Sequence, residues 1–134
     1  MLLMSVVQPW LLVMLGSALG GGARLFLTTA IARPLGTQFP WGTLAVNVIG
    51  CLAVGVLGAL LAPPGRLHDA QAVRVFLVVG VLGGFTTFSA FALDALLLVQ
   101  RGAVGSAVAY VFASMLGCLV AAGAGYAAVA ANLR

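Results

Sequence analysis

Charged side chains are scarce in this chain of 134 residues: only 6% are charged, as six basic and two acidic residues. All six basic residues are arginines, and the chain contains neither lysine nor glutamate. Soluble globular domains carry roughly 25% charged residues, so this scarcity excludes them. The arginines are also scattered singly instead of forming a basic patch, and we therefore predict no nucleic-acid binding.

Metal-binding and redox-active side chains are equally few, with one histidine and two cysteines. Cys51 and Cys118 both fall in apolar runs, where a free thiol behaves as a small apolar side chain, and no disulfide framework is predicted. His68 lies beside Asp69 in a stretch between two apolar runs, and we expect both side chains to be solvated there.

Long apolar runs dominate what remains: 63% of the residues are hydrophobic and the mean hydropathy is +1.23. A membrane-spanning helix needs about 20 predominantly apolar residues, and four runs reach that length, so residues 1–134 are predicted to form a single all-α integral membrane domain. The N-terminal run is too long for a signal peptide and is interpreted as a retained span. The predicted spans are approximately Trp10–Ile31, Trp41–Ala62, Ala72–Val99 and Ala103–Ala131.

The third span contains a stretch, residues 83–91, that should interrupt its helix. Gly83 and Gly84 each cost about 1 kcal/mol of helix propensity, and the hydroxyls of Thr86 and Thr87 compete for backbone groups. Irregular backbone at membrane depth is tolerated only where it is buried in protein or lines a cavity. The stretch therefore indicates a functional site.

Polar residues in the other spans recur at helical spacing. Thr43 and Asn47 share one face of the second span, and Tyr110, Ser114 and Cys118 share one face of the fourth. Such faces do not point at lipid. For each, two interpretations stay open from the residues alone: hydrogen bonding within or between helices, or the lining of a pore.

Small residues predict where helices approach one another closely. Gly16 and Gly20 in the first span form a small-xxx-small face. In the fourth span, a stripe of small residues runs beside the polar face: Ala109, Ala113, Gly117, Ala121 and Gly125.

Two charged residues fall inside predicted spans. Arg24 lies in the first span, and we weigh a side chain that snorkels to the interface against a cation in an aqueous vestibule. Asp94 is the only acidic residue within a span, which makes it a functional candidate unless it already lies near a wet end.

The remaining arginines give no signal for orientation. Four spans place Arg66, Arg74 and Arg134 on one side of the membrane and Arg24, Arg33 and Arg101 on the other, so the positive-inside rule favours neither orientation. Two oppositely inserted copies would pair about an axis in the membrane plane, as inverted repeats do. We therefore predict an antiparallel, dual-topology homodimer.

The run Gly83-Gly-Phe-Thr-Thr-Phe-Ser-Ala-Phe91, together with Gly42-Thr-Leu-Ala-Val-Asn47, resembles the CrcB/Fluc family of fluoride channels. The resemblance covers nearly the whole chain. It implies a channel rather than an enzyme, located in the cell (inner) membrane, with a broken third helix. It also implies an antiparallel homodimer whose two pores carry fluoride passively out of the cytoplasm, with a structural sodium ion at its centre.

By the same resemblance, Phe88 and Phe91 are expected to contact fluoride through their ring edges and Asn47 through its amide. Arg24 is expected in the vestibule, and the carbonyls of Gly83 and Thr86 at the sodium ion. Residues expected to supply further polar groups along the pore are Thr43, Thr87, Ser89, Tyr110 and Ser114. This sequence departs from the family pattern at Ala90, where threonine is common, and at Cys118, where a hydroxyl often continues the polar face.

The alternative from another class is a small dual-topology, proton-coupled multidrug exporter. Such exporters also pair four short helices in antiparallel dimers, but they resemble each other in a carboxylate within the first span. The first span of this chain has no Asp or Glu, which disfavours the exporter.

Overall fold

The computed structural model describes residues 2–63, 65–67 and 70–133. His68, Asp69 and Arg134, which entered the predictions above, lie outside the described residues. Helices are the only regular elements in the described part. They are α1 (Leu2–Leu35), α2 (Trp41–Leu61), α3 (residues 71–85), α4 (Phe88–Gln100) and α5 (Val104–Ala130).

Four stretches are long and apolar enough to cross a membrane, which confirms the predicted number of spans. They are Val7–Leu35, Trp41–Leu61, Gln71–Gln100 and Val104–Ala130. The third comprises α3 and α4 together. Large apolar side chains are exposed on the outside of the bundle, among them Phe26 at 77% and Leu119 at 69%. Such a surface suits a lipid bilayer, because apolar side chains that face lipid are not exposed to water.

The first helix is longer than predicted, because it continues through Pro34 to Leu35. It ends at Gly36, whose positive φ of 74° turns the chain. The Gly36 N–H donates to the carbonyl of Ala32 at 2.9 Å, the arrangement that a left-handed glycine makes after a helix end. Proline alone therefore does not end α1, and the loop predicted to begin at Ala32 begins at Gly36.

Glycines let α1 and α3 touch through their backbones. A Cβ placed on Gly16 would lie 2.8 Å from the Gly80 Cα, and one on Gly84 would lie 2.6 Å from the Ser17 carbonyl oxygen. The predicted small-residue face of α1 is thereby confirmed at Gly16, and at Gly20, which packs against Val81.

The packing of α5 agrees with its predicted stripe in part. Gly117 and Gly125 contact α2, whereas Ala109 and Ala113 are exposed.

Helix α3 has an unusual centre that the sequence did not predict. Arg74–Leu82 is a π-helix, in which the Gly83 N–H reaches back five residues to the Val78 carbonyl. One α-helical turn, Gly83–Phe85, follows. The two glycines are therefore helical, contrary to the expectation that they interrupt the helix, and Gly84 serves the close contact with α1.

The backbone leaves helical geometry at the two threonines after these glycines. Thr86 has φ −80° and ψ 157°, and Thr87 has φ −153° and ψ 114°. Helix α4 then begins at Phe88. β-Branched residues tolerate extended backbone better than helix, which favours an extended pair at these two positions.

Candidate functional site

The extended pair is held by one side chain from α2. Asn47 accepts a hydrogen bond from the Thr87 N–H through Oδ1 at 2.8 Å and donates to the Thr87 carbonyl through Nδ2 at 3.0 Å. These two bonds replace partners that a continuous helix would supply. An amide nitrogen carries two N–H groups, so one Nδ2–H remains available to the space beside Thr87.

The threonine hydroxyls satisfy further backbone groups around the extended pair. Thr86 Oγ1 donates to the Leu82 carbonyl at 2.9 Å. Thr87 is the N-cap of α4, and its Oγ1 accepts from the Ala90 N–H at 3.2 Å. The Ser89 hydroxyl lies 3.3 Å from the same oxygen. The Thr87 hydroxyl thus caps the start of α4, a role that threonine favours, whereas the Thr86 hydroxyl bonds back to the preceding turn.

The Gly83 and Thr86 carbonyls are among those that lose their usual donors through this arrangement. In a continuous α-helix the Gly83 carbonyl would accept from the Thr87 N–H, and the Thr86 carbonyl from the Ala90 N–H. The structure directs the first N–H to Asn47 and the second to the Thr87 hydroxyl. The C-terminal end of α3 therefore presents main-chain oxygens at membrane depth.

A groove of about 270 Å³ opens beside the extended pair, between α2, α4 and α5. Most of its lining is apolar, with a few polar groups among it. The lining residues are Asn47, Cys51, Thr86, Thr87, Phe88, Phe91, Ser114, Met115, Cys118 and Leu119.

Aromatic rings continue from this groove towards the end of the bundle. The Phe88 and Phe91 ring centroids are 5.4 Å apart, and Phe91 lies 5.3 Å from Tyr110. Phe39 meets Tyr110 edge to face at 5.6 Å. Tyr110 is completely buried, whereas Phe88 is 75% exposed. The rings therefore lead from an open surface of the chain to a closed interior.

Polar groups run along the same route. The Tyr110 hydroxyl lies 3.3 Å from Asp94 Oδ2 and donates to it, and the Thr43 and Ser114 side chains lie beside this phenol. Asp94 also lines a second cavity of about 280 Å³ together with Thr43 and Arg101. The sequence left Asp94 undecided, and the structure gives it a partner 16 residues away.

The Ser114 hydroxyl is buried close to the Tyr110 hydroxyl, but the two do not form a hydrogen bond of good geometry. Ser114 is only 3% exposed, and within the part of the chain that the structure describes its Oγ has no hydrogen-bond partner. A buried hydroxyl without a partner is costly. The prediction that this face of α5 turns away from lipid is confirmed at Tyr110 and Ser114.

The predicted site residues are only partly brought together. Asn47, Thr86, Thr87, Phe88, Phe91 and Ser114 share the groove. Thr43 and Tyr110 lie further along the same route. Arg24 is half-buried on α1 and lies outside the lining of the groove, so within one chain it is separate from the rest. Gly83 and Ser89 are exposed beside the groove.

Among the described residues, no group of three or more His, Cys, Asp or Glu side chains could hold a metal ion. A cation at the extended pair would therefore be held by main-chain oxygens. The freed carbonyls of Gly83 and Thr86 fit that requirement, because sodium is a hard cation and carbonyl oxygen is a hard ligand.

Comparison with known sequences identifies relatives along most of the chain. The family model described as "CrcB-like protein, Camphor Resistance (CrcB)" matches residues 11–126. A protein of Chelativorans sp. named "Fluoride-specific ion channel FluC" is 51% identical over 111 residues, which cover 83% of this chain and 87% of the relative. A protein of the same name from Rhodopseudomonas palustris is 47% identical over 124 residues, covering 92% and 98%.

Proposed function

The chain belongs to the CrcB family, and from this membership we infer that it is a fluoride-specific ion channel. It is a multi-pass membrane protein, and its task is conduction, not catalysis. Fluoride leaves the cytoplasm passively through it, down the electrochemical gradient. Family membership also decides against the multidrug exporter.

The groove and the polar route beyond it are the proposed path for the ion. A small anion that leaves water needs donors at each step, because an unpaired charge in low dielectric is very costly. The observation that carries the assignment is the buried, uncommitted hydroxyl of Ser114, which lines the same groove as Asn47 and the two phenylalanines. Such a hydroxyl is free to donate to a passing anion.

The other groups supply weaker contacts in series. Asn47 has one N–H left, the ring edges of Phe88 and Phe91 are electropositive, and α4 begins at this point with the positive end of its dipole. Weak contacts at several positions suit conduction, since an ion that is held too tightly does not leave.

The remaining site residues extend this path on either side of the groove. Thr43 and Tyr110 carry the route of donors towards the end of the bundle, and the hydroxyls of Thr87 and Ser89 flank its middle. We assign Arg24 to an aqueous vestibule, where a cation raises the local concentration of anions.

An antiparallel homodimer with two such paths is proposed as the working unit. Phe88 is 75% exposed in the single chain, and Gly83 and Ser89 are exposed next to it. A groove that conducts ions through a membrane requires a wall on this open side, and a second copy inserted in the opposite direction would supply it. The two chains would then place their extended pairs near one axis in the membrane plane.

A structural sodium ion at the centre of this dimer would be held by the Gly83 and Thr86 carbonyls of both chains. Both carbonyls have lost their helical donors to Asn47 and to the Thr87 hydroxyl. An unpaired carbonyl at membrane depth costs several kcal/mol, and four such oxygens around one point suit a small hard cation. The interrupted third span is therefore proposed as a structural device for the dimer as well as a wall of the groove.

The experiment is fluoride efflux from proteoliposomes that contain only this protein, followed with a fluoride electrode. Efflux of fluoride without chloride is expected. Ser114→Ala should slow it, while Ser106→Ala serves as the matched control, because Ser106 is an exposed serine on the same helix. Absence of fluoride efflux from a folded dimer would refute the channel, and equal efflux from parent and Ser114→Ala would refute the path.

A further inference from the structure

The groove is lined by several sulfur-bearing side chains that fluoride conduction does not require. The sequence contains two cysteines and four methionines, and three of these six side chains, Cys51, Met115 and Cys118, line this groove. The path proposed above uses none of these sulfurs. A thiol is a weak hydrogen-bond donor and a thioether donates no hydrogen bond, so a separate role has to be considered.

The fold holds these three sulfur-bearing side chains together. Met115 and Cys118 are three residues apart on α5 and are therefore neighbours on one face. Cys51 lines the same groove from α2, and its thiol is close enough to that of Cys118 to interact with it electrostatically. Both thiols are free and half-buried.

Close packing of α2 and α5 fixes this arrangement. A Cβ on Gly117, next to Cys118, would lie 3.2 Å from Val48 Cγ2, and Gly125 packs against the Leu52 backbone. The helices on which the two cysteines stand therefore touch on either side of the thiol pair, so that rotation of either helix would create a clash. A rigid scaffold of this kind keeps the ligands of a metal ion close to one geometry.

Thiolate and thioether sulfurs are soft ligands, which select soft metal ions such as copper(I) over the hard cations. The apolar lining of the groove adds a charge requirement, because burial of net charge is costly. A monovalent ion bound to one thiolate has no net charge, which fits such a lining.

We propose that Cys51, Met115 and Cys118 form a binding site for a soft monovalent metal ion, and that an ion bound there blocks the groove. Inhibition of flux by the bound ion rests on the proposed function, because it requires that fluoride passes through this groove. Binding of the metal ion does not depend on that function. The ion would occupy space that Asn47, Phe88 and Ser114 also line.

Binding is an exchange of a proton for the metal ion, without oxidation or reduction. One cysteine loses its S–H proton to water and forms a sulfur–metal bond. The thiolate charge cancels the charge of the ion, and lone pairs of the second cysteine and of Met115 complete the coordination. Acidic solution should therefore weaken binding, since protons compete for the thiolate.

Silver(I) is the probe, because it has the same charge and softness as copper(I) and does not change oxidation state under these conditions. Silver nitrate is added to the purified protein and to proteoliposomes in chloride-free solution, since chloride precipitates silver. Bound silver per chain is measured by mass spectrometry after gel filtration, and fluoride efflux is measured in parallel. We expect about one silver ion per chain for a three-sulfur site and inhibition of efflux that a thiol chelator reverses.

Variants identify the ligands, each compared with its own efflux before silver is added. Loss of an outer-shell partner typically weakens metal binding by roughly 10- to 100-fold, so Cys51→Ala and Cys118→Ala, which remove direct ligands, should each weaken silver binding at least as much. Met115→Leu conserves volume and should weaken it less. Met14→Leu is the matched control, because Met14 is 64% exposed on α1, and its silver response should equal that of the parent.

The site is refuted if Cys51→Ala and Cys118→Ala bind silver as tightly as the parent, and the blocking role is refuted if silver binds without slowing efflux. A parent that transports no fluoride would contradict the proposed function, yet the binding measurement would still decide the site. If the alanine variants do not fold, Cys118→Ser and Met115→Leu provide the same comparison with smaller changes in shape.

Discussion

Replacement of Asn47 by alanine should destabilise the protein as well as reduce fluoride flux. The Asn47 side chain makes two hydrogen bonds to the backbone of Thr87, at 2.8 Å and 3.0 Å. Alanine cannot replace either bond. The substitution would leave the Thr87 N–H and carbonyl without these partners at the point where the third span is not helical.

The size of the effect follows from these two groups. A buried polar group left without its partner costs about 1–3 kcal/mol, which gives roughly 2–6 kcal/mol for the pair. Two considerations favour the lower half of this range. Thr87 is half-buried and lines the groove, so water can reach it in part, and hydrogen bonds between membrane helices average only about 0.6 kcal/mol. We expect a loss of about 2–3 kcal/mol for Asn47→Ala.

Thermal unfolding of the purified protein in detergent measures this loss. Ser114→Ala is the matched control, because it removes a buried hydroxyl that has no hydrogen-bond partner among the described residues. Its unfolding temperature should equal or exceed that of the parent, since a buried unpaired hydroxyl is itself unfavourable. Both variants should conduct fluoride more slowly, but only Asn47→Ala should unfold at a clearly lower temperature.

An Asn47→Ala protein that unfolds at the parent's temperature would contradict this reasoning. It would mean that Thr87 finds other partners, and that Asn47 does not hold the extended pair in place. Equal destabilisation by Ser114→Ala would also contradict it, because that hydroxyl would then have a partner.

Three further predictions concern the pore, the cation and the orientation. Phe88→Ala and Phe91→Ala should each slow fluoride efflux. Only Phe91→Ala should also lower the unfolding temperature, because the Phe91 ring packs against the buried Tyr110 ring with centroids 5.3 Å apart. Equal efflux from both variants and the parent would contradict the pore assignment. Purified dimer should require sodium for thermal stability and fluoride flux, with potassium as the control, and Gly83→Val should remove this dependence. If the parent protein behaves the same in sodium and in potassium, the central cation site is refuted. Reporter proteins fused to the C-terminus should be active on both sides of the membrane, and a signal from one side alone would refute dual topology.

Local pattern was sufficient for the number of spans and for part of the buried faces. Apolar length predicts four spans because a bilayer has a fixed thickness. Spacing of four predicts that Tyr110 and Ser114 share a face, and the small residues predict that Gly16 and Gly20 meet another helix, because both depend only on helix geometry. These features need no information from distant residues.

Helix propensity pointed to residues 83–91 but did not resolve which of them leave helical geometry. The two glycines named for it, Gly83 and Gly84, are helical, and Gly84 packs against Ser17 instead. The extended residues are Thr86 and Thr87, because Asn47, 40 residues away in sequence, supplies the hydrogen bonds that make extended backbone tolerable there. Such a partner is invisible to any local rule.

The class of the protein, its spans and the short segments that carry its chemistry could thus be predicted from residue order, because each is encoded within one helix. Which groups meet across helices depends on the three-dimensional arrangement: Tyr110 bonds to Asp94, Asn47 bonds to Thr87, and Cys51 and Cys118 line one groove. It also left Arg24 apart from the groove. The physical reason is that side-chain pairing depends on how two helices are rotated and shifted against each other, which the close contacts at their glycines fix in three dimensions.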